Sequence, residues 1–533
     1  MSDAPSRDAA ETWREPPPPT RALWIGFAAM IFGNFIAILD IQIVASAITE
    51  IQAGVSASRD EITWVQTAYL IAEVIGLPLS GFLARALGVR LLFTLSALSF
   101  GAASMACALA WDMNSLIAFR AIQGFVGAAM IPTTMSTVYI AFPQRFWMTT
   151  GPMIGLVSTL APSIGPTLGG YIAEHLGWRA LFWINVIPAI VIAAVVWRNI
   201  RIGTFDGALL RRIDFIGLAG LAVFLGCAQY VLEEGAREAW FESSEIVMFC
   251  AASALGGMLF FQRALTRDAP IVDLRPFTYP TFVVGCGVAF LLGIGLFGPV
   301  FLQPVFLGEV RGYNAEQIGH AMFAQGVAMF LTAPIMGRYG RNLQDLRPLG
   351  CIGLLLIAIS CWMQTHLTAQ SSDAEFLVPQ ALRGVGMMIS FMAVMQPTIQ
   401  SLPPYLVQAG TPLFNLMRNL GGAFGLAMLA TLQAKAYLMH RQELYTAADP
   451  NDPAVRAMIE GAAQRYAAEG FAEPERLATA NYARILDREA LVMTFNDQFL
   501  AIAMLLALAA GAVWLLKRPP AAAAGAATAE AAH

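Results

Sequence analysis

Charge is what this sequence has least of. Only 13% of its 533 residues are Asp, Glu, Lys or Arg, against 57% hydrophobic, and the mean hydropathy is +0.61. A soluble globule of this length needs more polar surface than that, so the chain belongs in a bilayer. The net charge of -4 offers no basis for a nucleic-acid or polyanion partner. Histidine is rare too: of five, only His320 and His366 fall in long apolar runs, both near an end, where packing outweighs a proton switch. The six cysteines lie in apolar runs without CxxC spacing, which argues against a disulfide framework and against a metal centre. No Walker motif and no nucleophile-and-base set is present. ATP-driven pumping and enzyme chemistry are therefore not expected, and neither catalytic residues nor a cofactor or metal is predicted.

What is present is a series of apolar runs of about 20 residues, the length that crosses a hydrocarbon core. They fall near 22–46, 63–85, 90–111, 115–139, 149–172, 180–198 and 214–232, then near 245–263, 281–305, 317–337, 349–367, 376–400, 411–434 and 494–516. The sequence thus predicts an all-α integral membrane protein with fourteen transmembrane helices. An even count puts both ends on one side, and Arg and Lys are more numerous on the N-terminal side of the spans, which points to cytoplasmic termini. The leader, with Glu15 and Pro16 to Pro19, has no small-residue cleavage site and reads as a disordered cytosolic tail over 1–21. The alanine-rich end, 517–533, reads as a low-complexity cytosolic tail.

Two segments resemble each other. Arg120-Ala-Ile-Gln-Gly124-Phe-Val-Gly127 lies in the fourth span and Arg383-Gly384-Val-Gly386 in the twelfth, each with its Arg a few residues inside the outer end. Repeats of six spans would pair the fourth with the tenth, so two extra spans must sit between the halves. The expected organisation is a six-helix half over 22–198, a linker with two central extra helices over 199–263, and a second half over 264–516. The second half carries an extracytoplasmic helical insert at 435–493.

Ionisable side chains inside a span are costly and usually face a cavity. Asp40 lies about 9 Å from the outer end of the first span, taking about 1.5 Å per residue, and Arg120 lies at a similar depth in the fourth. Burial disfavours a charged carboxylate while a guanidinium favours it, so Asp40 in such a pair can take and release a proton. Glu73, near the middle of the second span, is a second proton-coupling candidate. The competing reading is a static ion pair that fixes helix packing. Arg383 is placed as the counterpart of Arg120, with no carboxylate in its own repeat. Arg418, beside Asn415 and Asn419, reads as structural, either a gate contact or an inward-snorkelling side chain.

The fifth span carries Gly155, Pro162, Gly165, Pro166, Gly169 and Gly170. Proline removes backbone donors and bends a helix, and glycine lets helices approach. The run reads as a hinge-like seal between halves. Polar residues inside spans, Asn34, Gln42, Gln303 and Asn415, together with Arg383, are candidates for a substrate cavity. Helix-to-helix hydrogen bonding is their alternative role.

In this order, the segments resemble the signatures of the major facilitator superfamily, specifically the fourteen-helix drug:proton antiporters of EmrB/QacA-like type. Leu39-Asp40-Ile-Gln42-Ile-Val44 is similar to the first-helix motif, Arg120 to Gly127 to the fourth-helix motif, and Gly165-Pro166-Thr-Leu-Gly169-Gly170 to the antiporter motif. Trp178-Arg179-Ala-Leu-Phe-Trp183-Ile-Asn185-Val continues the pattern. Departures are Gln42, Ala45 and Thr49 in the first motif, and Arg85 where most of the superfamily has Asp. The resemblance implies a major facilitator fold in a bacterial inner membrane that exports amphipathic small molecules in exchange for protons. It also implies a periplasmic membrane-fusion adaptor docking on 435–493 and a TolC-like outer-membrane channel beyond it. A dedicated exporter of one metabolite, such as a siderophore, an aromatic acid or a fatty acid, fits the same residues. A non-transporting membrane receptor is the alternative of a different class.

Overall fold

The computed structural model describes residues 16–267, 270–339, 343, 345–448 and 452–516. Most of the two expected tails therefore lies outside the described residues. In chain order the helices are α1 (Arg21–Ser46), α2 (Ile48–Val55), α3 (Arg59–Ile62), α4 (Trp64–Ala108), α5 (Met113–Gly127), α6 (Met130–Ala141), α7 (Gln144–Leu176), α8 (Ala180–Asn199) and α9 (Gly207–Leu210). They continue with α10 (Phe215–Glu234), α11 (Ser244–Thr266), α12 (Pro280–Glu309), α13 (Ala315–Tyr339), α14 (Arg347–Met363), α15 (Asp373–Gln400), α16 (Pro404–Ala447), α17 (Pro453–Ala468) and α18 (Pro474–Ala512). Only helices satisfy every backbone group within one apolar segment, and no strand occurs among the described residues.

Among the described residues, eleven helices are long and apolar enough to span a membrane, counting α5 and α6 as one pass. One of these, α4, is two helices that meet at Gly88, and α7 and α16 have the length but a less apolar make-up. The total agrees with fourteen passes. Helix ends carry local caps: Thr20 accepts the Leu23 N–H at 3.2 Å, and Asp112 with Ser115 and Ser372 with Glu375 form capping boxes.

The bend in α4 has a steric cause. Gly88 has φ +75°, a conformation that costs a side-chain-bearing residue, and its backbone lies against Gly203, whose φ is +76°. Asp206 N–H donates to the Ala86 carbonyl at 2.7 Å, so the strand of chain leaving α8 is stitched over this turn.

The extra helices α10 and α11 form a hairpin that crosses where Gly220 meets Gly256, with Arg263 and Asp214 paired at 2.7 Å near one end. It lies beside α4, through stacked Trp64 and Tyr230, and reaches α16, where Trp240 Nε1 donates to Thr431 Oγ1 at 2.9 Å.

At 435–493, where a helical insert is expected, the chain is helical and largely continuous with its neighbours. The helix α16 runs unbroken to Ala447 and α18 starts at Pro474, so two spans simply continue beyond the apolar layer and lean together, with α17 between them. Arg441 pairs with Asp487 at 2.7 Å, and His440 lies 2.7 Å from Asp497. These contacts make an arm of packed helices, beneath which Glu309, Gln433, Tyr437, Arg484 and Arg488 line a cavity of about 440 Å³.

Candidate functional site

Asp40 and Arg120 meet inside the first half. Arg120 Nη1 lies 2.5 Å from Asp40 Oδ2, and neither side chain is exposed to solvent. Four helices build the site. From α5, Gln123 accepts from Arg120 Nη1 at 2.9 Å; from α4, the Val65 carbonyl accepts from Arg120 Nε at 3.2 Å and the Tyr69 ring lies 4.4 Å from the guanidinium carbon. From α8, Asn185 Nδ2 donates to Asp40 Oδ1 at 2.6 Å and to Ser104 Oγ at 3.1 Å. Arg120 reaches this far because Gly124, one turn along, has no side chain and rests on the Tyr69 carbonyl. With Asn185 donating to Asp40, and Gln123 and Val65 accepting from Arg120, the buried ion pair is geometrically fixed, which makes the loss of either charge expensive.

Glu73 sits one turn of α4 beyond Tyr69 and faces the other half. Asn419 Nδ2, on α16, lies 3.5 Å from its Oε1, and Arg418 and Arg120 are the cations whose fields reach it. Arg418 does not snorkel: only 5% of it is exposed, and its guanidinium lies 5.7 Å from the Phe391 ring. The reason is position, since Arg418 is mid-helix, far from either end of α16, and turns inward toward the carboxylate of the opposite half.

The antiporter segment divides its work. Helix continues through Pro162 and Pro166, whose side chains lie outside the described residues, and through half-buried Gly170. Gly165 rests on Gln42, and Gly169 on Ser46 and the Ile43 backbone, so both draw α7 against α1 of the same half. Gly155 faces the second half as expected of a seal; a methyl there would stand 3.2 Å from Phe391 and 3.4 Å from the Met388 sulfur.

The halves are closed at the end where α1 begins, where Gly81 of α4 rests on the Gln408 backbone of α16 and Gly151 of α7 on Met392 of α15. Tyr139, Trp147, Ile154, Phe391, Met392 and Met395 surround a void of about 10 Å³, and Gly155, Met388, Phe391 and Arg418 surround another of about 10 Å³. Neither holds a drug-sized molecule, for which several hundred Å³ are usual. The expected cavity residues are correspondingly shut in. Asn34 accepts from Thr134 Oγ1 at 3.3 Å, Asn415 Nδ2 lies 3.0 Å from the Met135 sulfur of the other half, and Gln303 and Arg383 are fully buried. Gln42 is used in the α1–α7 contact.

At the same closed end, Arg85 lies 3.7 Å from Asp273, which is buried and gripped by Arg275 at 2.6 Å. Burial alone pushes the Asp273 carboxyl up, but the donors of Arg275, with Arg85 beside it, hold it below the usual carboxylate range. Arg85, in α4 just ahead of the Gly88 bend, therefore has an acidic partner across the halves. Sequence reasoning also missed the direct role of Asn185 and Gln123; a neutral amide inside an apolar run was the available signal.

A buried acid-base pair inside an all-helical, two-half membrane fold is the architecture of a secondary carrier, and the family match agrees. The chain belongs to the Major Facilitator Superfamily, whose description matches residues 30–426, and within it to the EmrB-like drug:proton antiporters. It is 39% identical to the colistin resistance protein EmrB of Acinetobacter baumannii over 92% of this chain and 95% of that one. It is 30% identical to the multidrug export protein EmrB of Escherichia coli strain K12, covering 92% and 94%. The solved structure of the proton:xylose symporter XylE shares the fold with a TM-score of 0.56 at 12% identity, covering 90% of this chain and 94% of that chain.

Proposed function

We propose that the protein is a multidrug efflux permease of the bacterial inner membrane, with both termini cytoplasmic, that exchanges amphipathic small molecules for protons by alternating access. The observation that carries this reading is the fully buried Asp40–Arg120 pair, 2.5 Å apart, in a member of this family. The relatives named for multidrug export and colistin resistance support the substrate class.

In this reading Asp40 carries the exchanged proton, with Arg120 and Asn185 holding its two oxygens. Protonation removes the charge that binds the guanidinium and frees the helices α1, α5 and α8 to shift. Glu73 reports to the opposite half through Asn419 and Arg418, so its charge bears on whether the halves stay together. Gly155 forms part of the closed seal, while Pro162, Gly165, Pro166, Gly169 and Gly170 shape the α7 surface against α1. Substrate reaches Asn34, Gln42, Gln303, Arg383 and Asn415 only when the halves part. The arm formed by α16, α17 and α18 receives a membrane-fusion adaptor, with a TolC-like channel beyond.

The test is uptake of a fluorescent lipophilic cation into proteoliposomes under an imposed pH gradient. Gradient-dependent flux that disappears in Asp40→Asn supports the reading; absence of flux in the parent protein removes the multidrug assignment.

A further inference from the structure

We propose that Arg383 is the core of a binding site for a small monovalent anion inside the second half. The guanidinium is fully buried. Its Nε donates to Gln325 Oε1 on α13 at 2.9 Å and its Nη2 donates to Gln380 Oε1, one turn back on α15. Among the described residues Nη1 has no partner, and neither has Gln380 Nε2. No ion pair to Arg383 occurs among the described residues. The acids of its own helix, Asp373 and Glu375, stand in the first turn, about 15 and about 12 Å earlier at about 1.5 Å per residue, and Glu375 is already engaged as a cap by Ser372 N–H at 3.0 Å.

The first half shows what is missing. Arg120 has the same kind of glutamine partner three residues away, Gln123, but it also has Asp40. Asp40 lies six residues before the end of α1, and six residues before the end of α12 stands Gln303. Gln303 is fully buried, and among the described residues both of its polar atoms lack partners. A neutral amide thus occupies the register of the carboxylate, and the charge of Arg383 is left uncompensated.

An arginine cannot shed its proton, and an isolated buried charge costs several kcal/mol. Arg120 Nη2 and Gln123 Nε2 are open in the same way although Asp40 is present, so what sets Arg383 apart is its unbalanced charge, and the partner that balances it is an acceptor with negative charge. Chloride and the carboxylate of a small organic acid share that chemistry. The inference rests on the charge balance of the second half and not on the export reading, so either can fail alone.

The test uses the purified full-length protein in sulfate buffer, a divalent anion outside the proposed class, following Tm as chloride or benzoate replaces sulfate at constant ionic strength. The parent is expected to show a saturable rise in Tm with at least one of the two, as for a ligand bound to the folded state. A response to chloride alone identifies an inorganic ion, and one to benzoate identifies an organic acid. Gln380→Glu supplies the missing carboxylate and is expected to lose the response while starting from a higher Tm. Gln325→Glu, which meets Nε, serves the same purpose if that variant does not purify. A parent Tm indifferent to both anions, or an undiminished response in the carboxylate variants, overturns the proposal.

Discussion

Asn185 donates to Asp40 Oδ1 at 2.6 Å, the oxygen that Arg120, bound to Oδ2, leaves open. The carboxylate is therefore held from two helices at once, and Ser104 ties the same amide back to α4. Loss of a donor to a buried charged acceptor costs about 1–3 kcal/mol. Asn185→Ala is expected to lower the Tm of the purified protein and to slow gradient-driven transport, while Asn185→Ser, which keeps a donor, retains more of both. Equal transport in the alanine variant and the parent would separate Asn185 from coupling.

The closed seal predicts a cross-link. Gly155 and Phe391 approach so closely that Gly155→Cys with Phe391→Cys, in a background lacking the six native cysteines, is expected to form a disulfide and stop transport. Reductant should restore it. Transport that continues with the bond formed would mean that this seam does not open.

The contact of Arg85 with Asp273 predicts an acid-sensitive tie between the halves. The carboxyl of Asp273 is depressed in the folded protein, so its stabilisation is complete above the ordinary carboxylate value and is lost as pH falls through the lower folded one. Asp273→Asn should be less stable than the parent at neutral pH, and the gap in Tm should close in acid. A gap that persists in acid would assign the loss to packing. The Arg85 part of the tie is partly exposed and worth at most about 1 kcal/mol.

The arm separates two activities. Replacing residues 448–473 by a short linker removes α17 but keeps the Arg441–Asp487 contact at its base. Antiport in proteoliposomes is expected to be unchanged and drug resistance in intact cells to fall. Unchanged resistance would exclude this part of the arm as the docking surface.

Asp40 and Arg120 were legible because two charges at one depth in apolar runs leave few arrangements other than a pair. The spans were legible for the same reason of contrast. Asn185 was not, because a neutral amide is common in membrane helices and its direction is set only by packing. The α7 glycines looked like one seal in sequence; which helix each one faces depends on the rotation of α7, which divides them between α1 and α15. The continuity of α16 and α18 was hidden because polar residues end an apolar run without ending a helix.

The most direct test of Asp40 as the carrier of the exchanged proton is proton release when substrate binds to detergent-purified protein in weakly buffered solution. The parent is expected to release protons on addition of a lipophilic cation, and Asp40→Asn to bind the same cation without release. Release of the same size from Asp40→Asn would contradict the account and move the exchanged proton to another group, with Glu73 the first to examine.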